Sequence, residues 1–211
     1  MNQIDKKQVL AQIERLRVSA ILRTRDRQLA SDAMKAAVEG GFRMVEFTLT
    51  TPGAFELISE FSELADLLVG AGTVMTPEQA REAVDAGARF LVSPICDSEV
   101  IGEAKRLDVV SIPGTYTPTE MATAHRHGAD LVKLFPVLDN VAEYVRSILG
   151  PLPFLKIFPT SGITLDNFGG ILDAGAFGVG FVRSLFTPED MEAGNFDAIA
   201  RRSSEIMRKL T

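Results

Sequence analysis

One cysteine, two histidines and no long apolar run leave this 211-residue chain with few means of forming disulfides, holding metals or crossing a bilayer. The lone Cys96 cannot build an intrachain disulfide framework and suits a reducing, cytoplasmic setting. As a small apolar residue near a strand end it is expected to pack into the interior and not to react. His125 and His127 stand two apart, so they point to different faces of a helix, and no Cys, Asp or Glu cluster lies at ligand spacing. Neither a metal nor another cofactor is expected. No segment reaches the roughly 18 consecutive apolar residues that span a bilayer, so no membrane partner is expected. The N-terminus lacks the apolar core and cleavage site of a secretory signal. With 28 acidic against 22 basic residues, and no basic stripe interleaved with aromatics, nucleic acid is an unexpected partner too. Linkers and low-complexity segments are absent, so residues 1–211 read as a single domain.

What is present is an alternation. A hydrophobic content of 46% suffices for a sizeable core. Short apolar runs recur from end to end: VSAILR (18–23), MVEFTL (44–49), LLVGAG (67–72), RFLVSP (89–94), VVSIP (109–113), LVKLFP (131–136), FLKIFP (154–159) and GVGFV (178–182). Helical patterns such as QLASDAMKAAVEGG and TPTEMATAHRHGA lie between them, each closing on glycine as a helix C-terminus does. Thr76, Thr117 and Thr187, each followed by proline and then by Gln79, Glu120 or Asp190 at the third helical position, read as N-caps. Eight strand and helix units in about 200 residues predict a (β/α)8 TIM barrel. Ile4, Val9, Leu10, Ile13 and Leu16 add an amphipathic N-terminal helix. A doubly wound sheet is the alternative, but no glycine-rich dinucleotide fingerprint follows the first strand.

The lysine inside LVKLFP is the anomaly, because an ammonium is costly to remove from water unless it is paired or loses its proton. Alternation places Leu131, Lys133 and Phe135 on one face of their strand. The same rule turns Val45, Phe47 and Leu49 toward the helices and Glu46, Thr48 and Thr50 into the barrel. Two readings stay open: a buried structural Lys–Glu pair, or a neutral amine that attacks a carbonyl carbon while the carboxyl moves protons. Lys156, in FLKIFP, is a second apolar-strand lysine. The loops after the seventh and eighth strands, with Gly162, Gly180 and Arg183, are candidates for holding an anion.

Motifs quoted in order along the chain resemble the bacterial 2-keto-3-deoxy-6-phosphogluconate and 4-hydroxy-2-oxoglutarate aldolases. They are ILR (21–23), EFTLTTP (46–52), GAGTV (70–74), Ser93-Pro94, IPGTYTPTE (112–120), VKLFP (132–136), GPLP (150–153) and FPTSGI (158–163). The resemblance implies a homotrimeric class I aldolase that needs no cofactor and takes a small 2-keto acid. Lys133 is then the Schiff-base lysine and Glu46 the general acid/base, with Arg23, Thr73, Pro94 and Phe135 around pyruvate. The rest of the substrate falls to Thr50, Thr160, Ser161, Gly162, Gly180 and Arg183. Departures from the family pattern gather at this distal end: Thr50 where arginine is common, Ser161 in place of a glycine, Val182-Arg183 after Gly180, and no glycine pair in VLDNVAEY (137–144). A noncatalytic barrel that binds an anion or scaffolds an assembly is the reading from a different class.

Overall fold

The computed structural model describes residues 5–136 and 139–210. Nine strands run parallel: β1 Val18–Leu22, β2 Met44–Thr48, β3 Leu68–Gly72, β4 Phe90–Val92, β5 Val110–Ile112, β6 Gly114–Thr115, β7 Val132–Leu134, β8 Ile157–Pro159 and β9 Val179–Phe181. All eight apolar runs form strands, somewhat shorter than their sequence limits. The additional strand, β6, follows the fifth run directly: Pro113, which has no N–H, interrupts the ladder between β5 and β6.

The hydrogen-bonded order is β5-β4-β3-β2-β1-β9 in one sheet and β6-β7-β8 in the other. Chain continuity through Pro113 joins β5 to β6, and a Thr160–Gly180 bridge joins the end of β8 to β9. The ring is therefore closed, and the expected TIM barrel is present. Among the described residues ten helices accompany it: α1 Lys6–Leu16, α2 Arg27–Glu39, α3 Ala54–Ser62, α4 Pro77–Asp85, α5 Ser98–Arg106, α6 Pro118–His127, α7 Val141–Leu149, α8 Phe168–Asp173, α9 Pro188–Ala193 and α10 Phe196–Leu210. Thr76, Thr117 and Thr187 accept from the backbone N–H of Gln79, Glu120 and Asp190, so each is an N-cap as expected.

Alternation sorts the residues of each strand into two cores. Val45, Phe47, Val132 and Leu134 face outward into the layer shared with the helices. Met44, Leu68, Phe90, Val110, Leu131 and Phe158 face inward and fill the N-terminal half of the barrel. Helix α1 lies across that end, with Val9 and Ile13 buried in the inner cluster and Lys6 paired with Asp130 at 2.8 Å. Asp130 also accepts from the Ser111 N–H at 2.9 Å, which ties the plug to the barrel rim. Ile4, assigned by periodicity to this helix, lies outside the described residues, as do Val137 and Leu138 of the VLDN segment.

Candidate active site

Above the apolar plug the inward positions become polar or small. Glu46 from β2 and Lys133 from β7 occupy them, with 2% and 9% of their surface exposed. Glycine makes the room. A β-carbon on Gly72 would stand 2.0 Å from Glu46 Oε1, and one on Gly70 would strike the Phe90 ring at 2.3 Å. The large chamber that results, about 1170 Å³, opens at the C-terminal ends of the strands. A smaller cavity of about 300 Å³ lies outside the barrel wall, between Tyr116 and Tyr144, and contains neither buried group. The chemistry belongs to the chamber, because buried ionisable groups with shifted proton affinities converge there.

Burial dominates both groups and is opposed in part by their mutual attraction. It pushes the Glu46 carboxyl above its ordinary range, against the lowering pull of Lys133 and Arg23. It likewise holds Lys133 below an ordinary lysine; Glu46 raises it again, and Arg23 adds to the lowering. Both shifts favour the neutral forms. Although both groups are described, no hydrogen bond or salt bridge joins them, and Glu46 Oε1 is buried without a partner. The ammonium end of Lys133 lies 5.0 Å from the centre of the Phe135 ring. An amine held short of its usual basicity, beside a carboxyl of raised proton affinity, is suited to attack on a carbonyl carbon with proton transfer.

Lys156 offers no such environment. It precedes β8 at the plugged end of the barrel, half-buried, with its nitrogen 5.0 Å from the centre of the Phe177 ring. In register Lys133 stands beside Phe158, so Lys156 lies two residues nearer the plugged end.

Of the other sequence candidates, Arg23, Phe135, Thr160, Ser161, Gly162 and Arg183 line the chamber with Glu46 and Lys133. Thr160 Oγ1 is buried there without a partner. Thr73 does not line it, but accepts a hydrogen bond from Arg23 Nη2 at 3.2 Å while held at φ 61°, an unusual conformation for a β-branched residue. Three placements depart from expectation. Thr50 is outside the strand and exposed, because β2 ends at Thr48; its hydroxyl lies 3.1 Å from that of Thr48. Pro94 is outside the chamber, its carbonyl pressed against Gly114, where a β-carbon would stand 2.2 Å away. Gly180 meets no open space either, since a β-carbon there would run into Ile21 and Thr160 at 2.4 and 2.8 Å. Its small size serves packing between strands, not a turn.

Ser161 corrects another expectation. It takes φ 70° and Gly162 φ 68°, so the β8 loop keeps a left-handed pair despite the side chain at the first position. Ser184 donates to the Ile163 carbonyl and ties the β9 loop to this one. Cys96 is half-buried in the loop after β4, and burial, with Glu120 and Asp97 nearby, pushes its thiol up. His125 packs on Phe154, ring centres 4.7 Å apart. Sequence reasoning missed Arg25, Glu189 and Glu192 on the chamber wall; loop and mouth positions carry no periodicity that could have flagged them. Among the described residues no helix is long and apolar enough to cross a membrane.

Comparison with known proteins agrees with this geometry. A family model described as KDPG and KHG aldolase matches residues 9–202. A 2-dehydro-3-deoxy-phosphogluconate aldolase from Treponema pallidum is 36% identical over 157 residues, covering 74% of this chain and 75% of its own. The KHG/KDPG aldolase of Escherichia coli K12 is 33% identical over 176 residues, 82% of each. A KDPG aldolase from Legionella pneumophila, solved with pyruvate captured as a covalent carbinolamine, superposes with a TM-score of 0.82 at 27% identity. That match covers 94% of this chain and 98% of the other.

Proposed function

The chain belongs to the KDPG and KHG aldolase family and is a carbon–carbon lyase; from that premise we propose that it reversibly cleaves a 4-hydroxy-2-keto acid to pyruvate and an aldehyde through a Schiff base on Lys133. The observation that carries this reading is a lysine buried at the open end of the barrel with no hydrogen bond or salt bridge. A scaffold lysine would be paired, because an unpaired buried ammonium only costs stability.

Neutral Lys133 attacks the C2 carbonyl to give a carbinolamine. Glu46, protonated as its raised proton affinity favours, gives a proton to the departing hydroxyl, and water leaves a protonated imine. The carboxylate then takes the proton of the C4 hydroxyl. As the C3–C4 bond breaks, its electron pair moves into the imine, yielding an enamine and a free aldehyde. Protonation of the enamine at C3 and hydrolysis of the imine release pyruvate and restore the amine. Arg23, fixed by Thr73, holds the keto-acid carboxylate, and its positive charge adds to the burial that lowers the proton affinity of Lys133. Phe135 shields the amine, while Thr160 offers its free hydroxyl to the substrate. Ser161, Gly162 and Arg183 receive the far end.

The substrate is 2-keto-3-deoxy-6-phosphogluconate, 4-hydroxy-2-oxoglutarate or both, and the enzyme works as a cytoplasmic homotrimer. Borohydride added with pyruvate tests the mechanism. It should leave a reduced adduct that peptide mass spectrometry locates on Lys133, with cleavage of both keto acids undiminished by chelator. An adduct on Lys156, or none, refutes the assignment.

A further inference from the structure

We propose that Arg25 is a specificity-determining residue which, together with Arg183, grips an anionic group on the aldehyde half of the substrate; this rests on the cleavage reading above. The two arginines line the chamber from different loops, Arg25 after β1 and Arg183 after β9. Neighbouring guanidiniums are occupied. Arg23 donates to Thr73, Arg27 faces Glu60 at 3.9 Å, and Arg202 pairs with Asp190 at 2.6 Å. Among the described residues, Arg25 and Arg183 have neither a hydrogen bond nor an ion pair. Two forked cations left unpaired on one cavity wall suit a carboxylate or a phosphate.

The backbone that carries Arg25 is pinned on both sides. Thr24 donates its N–H to Thr51 Oγ1 at 3.3 Å, and the Asp26 carboxylate caps α2 through the Leu29 N–H at 2.7 Å. A side chain launched from a fixed backbone can specify a ligand more sharply than one on a loose loop. The charge at the mouth supports the same role. Glu189 and Glu192 line the wall, as do Arg23, Arg25 and Arg183. Arg23 is already committed to the keto-acid end, so the outer wall sets Arg25 and Arg183 against Glu189 and Glu192; without Arg25 the acids outnumber the cations by two to one. Loss of Arg25 therefore tips the outer chamber against an anion.

The test compares three substrates: a 4-hydroxy-2-keto acid with a carboxylate tail, one with a phosphate tail and one with a neutral hydroxyl tail. Arg25→Gln should lower kcat/KM for an anionic tail about tenfold to a hundredfold more than for the neutral tail, the range of one lost charged hydrogen bond. Arg25→Lys, which keeps the charge but not the fork, should recover part of that difference. A shift on the carboxylate arm alone, or on the phosphate arm alone, supports the role and names the group gripped. An unchanged ratio of charged to neutral substrates in Arg25→Gln, while wild type traps pyruvate and cleaves, overturns the role of Arg25 alone. Wild type that forms no trapped pyruvate adduct overturns the cleavage reading and Arg25 with it.

Discussion

The α-carbon of Gly72 on β3 faces the Glu46 carboxylate on β2 so closely that a methyl group there would stand 2.0 Å from Oε1. The absence of a side chain on one strand sets the position of the carboxyl proposed as proton carrier on the next. Gly72→Ala should therefore displace the carboxyl and lower kcat about a hundredfold, as misplacements near 1 Å do. Steady-state kinetics beside a thermal melt checks this. A variant that keeps wild-type kcat shows that the carboxyl has other room to work from.

Glu46→Gln removes the proton shuttle while keeping the shape, so kcat should fall by about 10² to 10⁴. Its effect on stability depends on pH, with a defined sign. The folded-state proton affinity of Glu46 is raised above its ordinary 4.5. The neutral carboxyl is then favourable below that value, and the advantage is lost as pH rises through the folded-state value. Glutamine stays neutral throughout. The melting temperature of the variant relative to wild type should climb as pH rises from 4.5, with little difference below it.

Lys133→Met should abolish cleavage and stabilise the fold, because an apolar side chain of similar length replaces a largely buried amine that makes no side-chain hydrogen bond or ion pair. A rise in melting temperature at neutral pH, shrinking in strongly alkaline solution where the lysine of the unfolded chain is neutral as well, is the expected pattern. A fall instead would show that the lysine holds the barrel together.

Thr73→Val deletes the hydroxyl that accepts from Arg23 Nη2. KM for the keto acid should rise about twofold to twelvefold, the range of a single hydrogen bond, with kcat changed less. Thr73→Gly should show the same KM rise and, freed from φ 61° on a β-branched residue, a smaller loss of stability. Equal KM values for wild type and both variants would detach Thr73 from substrate binding.

Much of this architecture is legible in the sequence, because apolar runs bounded by glycine and proline are a local signal. Eight of the nine strands follow from the apolar runs, the three threonine caps from the proline and the polar residue that come after them, and the inward direction of Glu46 and Lys133 from period-two alternation. Thr50 illustrates the limit. Alternation extended one step too far places it inside, whereas the strand ends at Thr48 and the chain turns away. The space Gly72 provides could not be read, since its partner on β2 is Thr48, and only the lean of the Glu46 side chain, two residues back, brings the carboxyl against it. Lys133 and Lys156 look alike in their apolar runs; what separates them is which end of the barrel each one meets. Ser161, which reads as the loss of a glycine, keeps the left-handed backbone that glycine would favour.

Helix α1 seats Val9 and Ile13 among the inner residues of the barrel's N-terminal end, and so the chamber is a blind alley with one door. Traffic through it must queue. In the proposed cleavage the aldehyde, formed nearer the door, should depart first, while pyruvate stays tethered at the dead end until its imine is hydrolysed. In the reverse direction pyruvate should have to enter ahead of its partner, and an aldehyde arriving early should block the passage. An ordered release and inhibition by excess aldehyde are thus what the sealed far end predicts for the proposed reaction.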